Sequence, residues 1–329
     1  MERAKNETID SLYKHAKQIT EDYNDQKKEK VVLLAIDIIW SYFQDKFPTT
    51  HYDIVLGGNG SGKSSYGITF GATAYRVVKL TSPNAANINR ILGCIEVGQC
   101  TLVSDETGAI DKSEDLMSLL KDGYDSKGRT SKVNDFTRDP EFFHAYCFKM
   151  IISERMPNLR NARGVLDRSF SFSAYKGKPK YDIKETLEPQ GNAARQERLD
   201  VLNDFKKLML IYRLLHFKDT IPDIDVTVEG REKELSKPII QLFYNTEAQK
   251  EVEETLQYWL NLRNEKKEIT LEPILHPIIS KLVSENGNEI SVSIIWETIK
   301  QSITGYNDPD NKRPSEYHTL EYGIIYNNT

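Results

Sequence analysis

Cysteine is scarce in this chain of 329 residues, with only Cys94, Cys100 and Cys147. Three thiols so scattered build neither a disulfide framework nor a zinc knuckle, and a reducing, cytoplasmic setting is the simplest expectation. Long hydrophobic runs are missing too. The best of them, Val31 to Trp40, is broken by Asp37 and falls short of the roughly 18 apolar residues a membrane helix needs. The N-terminus, Met-Glu-Arg-Ala-Lys-Asn-Glu-Thr, is too charged for a secretory signal. His15, His51, His144, His216, His276 and His318 show no ligand spacing with one another or with cysteine, so a surface or satisfied-core role is expected for each. No Ser/His/Asp arrangement points to nucleophilic catalysis. Secretion, membrane insertion and metal-scaffold classes are set aside. Disorder is excluded as well: the mean hydropathy is −0.55, yet the 39% apolar residues fall in periodic clusters.

Net positive charge is also absent, since 44 Lys+Arg face 49 Asp+Glu for a total of −5. The distribution matters more than the sum. From Lys121 to Lys184 there are 14 Lys/Arg and 8 Asp/Glu, a net of +6, leaving −11 for the rest. A basic segment in an acidic protein is the footprint of a localised polyanion site, or of a solvated surface with uneven charge.

The apolar periodicity predicts two N-terminal helices. In the first, Ile9, Leu12, Ala16 and Ile19 recur at helical spacing behind Asn6 and Thr8 as capping residues; the second, Lys30 to Phe47, is apolar nearly all round and ends at Pro48. Strand and helix patterns then alternate. Strands are expected at Tyr52 to Leu56, Arg76 to Leu80, Thr101 to Val103, Phe148 to Ile152 and Ser169 to Ser173. Helices are expected at Ala85 to Leu92 and Glu114 to Leu120. Such alternation means an α/β layer with a mainly parallel sheet. After Pro179 the pattern turns helical, with Val201, Leu202, Phe205, Leu208, Met209, Tyr212 and Leu215 on one face of a long helix. Further helices are read at Lys233 to Phe243 and Val252 to Leu262, followed by a charged linker at Asn264 to Glu268. The expected organisation is a helical segment over 1–48, a core over 49–186, a helical lid over 187–265 and a last module over 266–329.

One motif is specific. Gly57-Gly58-Asn59-Gly60-Ser61-Gly62-Lys63-Ser64, followed by Ser65, fits G-x-x-x-x-G-K-[ST] between an apolar strand and a helix pattern. Glycines let successive amides turn inward onto a phosphate, and the helix that starts there offers free amides and a favourable dipole. Lys63 reaches the β- and γ-phosphates, and the Ser64 hydroxyl takes a magnesium position. A second carboxylate station follows at Thr101-Leu102-Val103-Ser104-Asp105-Glu106. Asp105 is expected to hold magnesium and Glu106 to orient and deprotonate the attacking water.

With this loop, the Asp-Glu pair and the later strand Lys149-Met150-Ile151-Ile152-Ser153, the chain resembles the AAA+ superfamily of P-loop ATPases. More narrowly, it is similar to the archaeal-like, helicase-type ATPase modules of plasmid and viral replication proteins, relatives of superfamily III and minichromosome-maintenance helicases. The narrower resemblance rests on Leu119-Leu120-Lys121-Asp122-Gly123-Tyr124, the turn Lys127-Gly128-Arg129, Leu166-Asp167-Arg168-Ser169-Phe170 and Gly230 to Pro238, and covers about 50 to 245. It implies a three-layer P-loop NTPase fold with helical lid, ATP and Mg2+ as cofactors, and a hexameric ring of identical subunits. It makes Ser153 the first sensor, Arg168 the arginine finger acting on a neighbour, with Arg160 and Arg163 as rivals, and Arg231 the second sensor over the phosphates. It also implies a hairpin before the sensor strand that grips single-stranded DNA through Lys127, Arg129, Lys132 and Arg138. Backbone contact of that kind reads no sequence. Tyr124, Phe136, Phe142 and Phe143 lie nearby, and core packing is the expectation for them over base stacking. The tail from about 270 resembles the opening of a winged-helix module that stops inside its pattern at Thr329.

The expected function is an ATP-hydrolysing ring motor on single-stranded DNA, of a replication system in a mobile element or virus-like setting. The alternatives are a nucleotide-switched loader of a protein partner on DNA, and a protein-remodelling ATPase without nucleic acid.

Overall fold

The computed structural model describes residues 6–81, 84–105, 113–133, 138–157 and 159–268, with 280–282, 284 and 298 beyond them. The chain divides into two compact units, Met1–Asn261 and Leu262–Thr329. The tail expected to resemble a winged helix lies almost wholly outside the described residues, as does Phe136.

Helix α1 (Ile9–Tyr23) opens with a reciprocal cap, in which Thr8 Oγ1 accepts from the Ser11 amide and Ser11 Oγ accepts from the Thr8 amide. Helix α2 (Lys28–Ser41) is apolar on every side and accordingly buried from Lys30 to Ser41. It ends earlier than the apolar run, and a short 3-10 turn at Gln44–Lys46 carries the chain to Pro48.

The core elements follow in order: β1 (Tyr52–Leu56), α3 (Lys63–Thr73), β2 (Val77–Thr81), α4 (Ala85–Gly93), β3 (Thr101–Asp105), α5 (Glu114–Asp122), β4 (Thr130–Val133), β5 (Pro140–Phe143), β6 (Lys149–Ser153), α6 (Leu159–Leu166) and β7 (Ser169–Ser173). Five strands form one sheet in the order β2-β3-β6-β1-β7, and every neighbouring pair is parallel. β1 therefore sits inside the sheet, and all five of its residues are buried.

Alternation along β1 assigns the two faces. Tyr52, Ile54 and Leu56 join Ile88 and Leu92 of α4, Leu116 and Leu120 of α5, and Ala162 and Val165 of α6 in one apolar cluster. The opposite face is covered by α2 and α3: Phe70 of α3 lies against Phe148, ring centroids 5.2 Å apart, and Tyr66 of α3 donates to the Lys30 carbonyl at 2.8 Å. This is a three-layer, mixed α/β arrangement around a parallel sheet.

Strands β4 and β5 pair antiparallel as a separate hairpin with Lys132 opposite Glu141. Helices α7 (Ile183–Leu187), α8 (Ala193–Leu215), α9 (Gly230–Leu242) and α10 (Gln249–Glu268) complete the described elements. On α8, Leu202, Phe205, Leu208, Met209 and Tyr212 are buried as the periodicity predicts, but Val201 and Leu215 are exposed. The charged stretch Asn264 to Glu268 is helical in α10 rather than a linker. Among the described residues no helix is long and apolar enough to cross a membrane.

Candidate functional site: a phosphate loop at the carboxyl edge of the sheet

Ligands of open α/β sheets bind beyond the carboxyl ends of the strands. The register brings the sequence-predicted residues there. Leu56, the last residue of β1, lies opposite Ser153 of β6 and Ser173 of β7, and Asp105 ends β3 on the other side of β6. Asp105 is thus two strands from the loop, about 10 Å at ordinary strand spacing.

The loop is held by backbone bonds at its root. The Gly57 amide donates to the Ser153 carbonyl at 3.1 Å, the Ala174 amide donates to the Leu56 carbonyl at 2.7 Å, and the Ser61 amide donates to the Gly58 carbonyl at 3.2 Å. A Cβ at Gly57 would stand 2.2 Å from Ser61 Oγ, so any larger residue there forces Ser61 to move. Gly62 has φ of 86°, a left-handed conformation that turns the chain straight into α3. No side chain caps that helix start. Its first amides are therefore left for another acceptor. Gly58, Asn59 and Gly60 are exposed, Ser64 and Ser65 half-buried.

Lys63 is buried to 9% exposure. Its Nζ lies 3.3 Å from the Gly58 carbonyl oxygen and 3.8 Å from Glu154 Oε1. Glu154, directly after the sensor-position Ser153, is a site residue that sequence reasoning missed; it follows a strand end as Glu106 does, which is the signal that could have found it. Ser153 is buried, and its hydroxyl donates to the Arg155 carbonyl at 2.8 Å. The open cradle, the uncapped helix start and the lysine inside it fit an anionic group. The Ser64 hydroxyl and the Asp105 carboxylate are the hard oxygen donors a magnesium ion takes. Glu106 lies outside the described residues.

The arginines stand at the other edge. Tyr52 at the start of β1 donates its amide to the Arg168 carbonyl at 3.0 Å, and the Thr50 amide donates to the Tyr124 carbonyl at 2.8 Å. The Arg168 guanidinium lies 4.3 Å from the centroid of the Tyr124 ring, and that of Arg231 lies 4.5 Å from the same centroid. Arg168 also donates to the Gly164 carbonyl, and Arg231 pairs with Glu234 on its own helix. The five residues of β1 hold this cluster about 16 Å from the chain's own loop, further than an arginine side chain extends. Arg231, expected over the phosphates, thus stands away from the loop of its own chain: α9 docks at the amino edge, where the Glu234 carbonyl accepts from Thr49 Oγ1 at 2.9 Å. Arg163 is exposed on α6, and the Arg160 side chain lies outside the described residues.

The basic segment holds the β4–β5 hairpin, whose tip, 134–137, lies outside the described residues, as does the Lys132 side chain. Lys127, Arg129 and Arg138 are exposed; Arg129 turns back to donate to the Ser126 carbonyl at 3.0 Å and the Gly128 carbonyl at 2.8 Å. Phe142 is 70% exposed and Val133 62%, so Phe142 is not the core residue expected. Phe143 and Tyr124 are half-buried.

A parallel sheet with a glycine-rich loop leading from a central strand into a helix is the arrangement on which P-loop nucleotide-binding proteins are built. No family model matches the sequence, and no curated protein matches it. Among solved structures, JCV helicase, crystallised with a thiazolopyridinyl-phenoxyphenyl acetamide, is similar to this chain with a TM-score of 0.33 and 12% identity. The match takes in 85% of this chain and 66% of that one, so the chain spans just under two thirds of the JCV helicase chain. A likeness that distant carries no argument about activity.

Proposed function

We propose that this chain is a magnesium-dependent ATPase of the AAA+ type that works as a ring of identical subunits, a hexamer, on single-stranded DNA as a helicase-type replication motor. One observation carries the reading: the phosphate loop stands at the carboxyl edge, with Lys63 inside it and an uncapped helix start behind it. Backbone amides of Gly60, Gly62, Lys63 and Ser64 receive the phosphate oxygens, and Lys63 leaves Glu154 for the β- and γ-phosphates. Ser64 and Asp105 hold the magnesium, which when bound neutralises charge on those phosphates. Glu106 takes a proton from the attacking water, and Ser153 turns its hydroxyl from the Arg155 carbonyl to the γ-phosphate or that water.

Because Arg168 and Arg231 stand at the amino edge, they serve the loop of the adjoining subunit. Tyr124 positions both guanidiniums by stacking, and the Gly164 carbonyl and Glu234 occupy them until a phosphate does. The arginines add positive charge where negative charge grows in the transition state, without which each subunit is a slow ATPase. The β4–β5 hairpin and the turn before it supply the DNA contact, through Lys127, Arg129, Lys132, Arg138 and the exposed ring of Phe142.

The test is ATP hydrolysis by wild type and Glu106→Gln with magnesium present. The substitution keeps the shape and removes the base, so ATP binding should persist while turnover falls at least a hundredfold, the lower end for a general base. Equal rates would remove Glu106 from the mechanism.

A further inference from the structure

On the face of the sheet away from the apolar cluster, three chemistry-bearing side chains converge that the nucleotide site does not use. Asp37 comes from the middle of α2, His51 from the approach to β1, and Asp53 from β1 itself. All three are fully buried, and one ligand atom from each lies within 4.8 Å of the others. His51 Nε2 is 2.7 Å from Asp37 Oδ1. The remaining polar atoms have nothing: Asp37 Oδ2, His51 Nδ1 and both oxygens of Asp53 are buried without a hydrogen-bond partner. The wall is aromatic, with the rings of Trp40, Phe148 and Phe170 at 5.9, 5.0 and 5.3 Å from the imidazole. Tyr66 offers no help, since its hydroxyl donates to the Lys30 carbonyl.

Buried polar atoms without partners are rare because water is given up and nothing is gained. Asp37 and Asp53 each bring a carboxylate oxygen within 4.8 Å of the other, and two acceptors so placed need a proton or a cation between them. Two ionised carboxylates beside a neutral imidazole carry two uncompensated charges in an apolar interior, which is prohibitive.

We propose that Asp37, His51 and Asp53 form a structural site for a divalent first-row cation, with zinc the best match and manganese next. The charges then cancel: two carboxylates, one neutral imidazole and one dication sum to zero. Imidazole with two carboxylates is a donor set zinc takes, and the orphaned atoms acquire their partner. The ion would tie α2 to the start of the strand whose far end carries the phosphate loop, and being sealed from water it would exchange only on unfolding.

The experiment uses the full chain without nucleotide. Metal is counted by mass spectrometry after dialysis against EDTA, and again after unfolding in guanidinium with EDTA and refolding with or without Zn2+ or Mn2+. About one equivalent of zinc or manganese should survive dialysis and leave on unfolding, and the chain refolded with that ion should melt at a higher temperature than the chain refolded without it. Ser64→Ala should keep the ion, which separates it from nucleotide-linked magnesium, and Asp53→Asn should lose it. Should Asp53→Asn not fold, wild type refolded with Co2+ decides: bands of nitrogen and oxygen ligands support the site, whereas thiolate charge-transfer bands place the ion on Cys100 and Cys147 and overturn it. Folded wild type with no metal above the buffer blank, and one melting temperature with or without Zn2+ and Mn2+, also overturns it and leaves a shared proton between the two acids.

Discussion

Removing the Lys63 ammonium separates a phosphate-binding lysine from a structural one. In the nucleotide-free chain its charge has a carbonyl at 3.3 Å and the Glu154 carboxylate at 3.8 Å, and the Glu154 side chain is 57% exposed. An ion pair open to water on one side contributes at most about 1 kcal/mol. Lys63→Ala should therefore lower the melting temperature by only a few degrees. Phosphate binding is another matter, because a hydrogen bond to a charged group contributes about 1.5–3 kcal/mol. Losing one should weaken ATP binding roughly ten- to 150-fold, converting at about 1.4 kcal/mol per decade. The assay is titration of wild type and Lys63→Ala with a fluorescent ATP analogue, beside thermal unfolding of both without nucleotide. Equal affinities would refute the reasoning. So would a collapse in melting temperature large enough to explain the weaker binding, since Lys63 would then be a structural residue.

Three further outcomes follow from the geometry. Gly57→Ala should destabilise the chain by about 1–3 kcal/mol through the clash with Ser61 Oγ, and Ser61→Gly in the same chain should recover most of it; thermal unfolding of the single and double variants checks this. Arg168→Ala chains should bind ATP and hydrolyse it poorly, and mixing them with Glu106→Gln chains should restore activity where an intact Glu106 meets an intact Arg168; no recovery at any ratio, with co-assembly verified, argues against action between subunits. Neutralising Lys127, Arg129 and Lys132 should weaken single-stranded DNA binding for all sequences alike, flattening the log–log salt slope by about 0.7 for each phosphate that no longer meets a cation. Unchanged affinity and slope in salt titrations with two unrelated oligonucleotides would take the hairpin out of the DNA-binding surface.

Much of the sheet was legible because buried parallel strands are written as short apolar runs between turn residues. Tyr52 to Leu56 and Ser169 to Ser173 match β1 and β7 at both ends, and the phosphate loop was legible because its glycines and lysine act within eight residues of one another. The hairpin is implied by the resemblance alone, and its strands are invisible to the periodicity. Thr130–Val133 and Pro140–Phe143 are largely exposed and carry no alternation for a core to impose. The run Asn264 to Glu268 looked like a linker because charge carries no helical period, yet Glu and Lys are good helix formers and α10 continues through them. The meeting of Arg168 and Arg231 at Tyr124 depends on where α9 docks, which no local pattern encodes. Asp37 and Asp53 did leave a trace, each an acid inside an otherwise apolar run. Only the fold joins them to His51.

A motor driven by ATP on nucleic acid is recognised by its rate of ATP hydrolysis with magnesium, measured with and without single-stranded DNA on material of known native mass. The material should be an oligomer whose hydrolysis rises when the DNA is added and is abolished by Glu106→Gln. A monomer under all nucleotide conditions, or hydrolysis indifferent to single-stranded DNA at low salt, would contradict it.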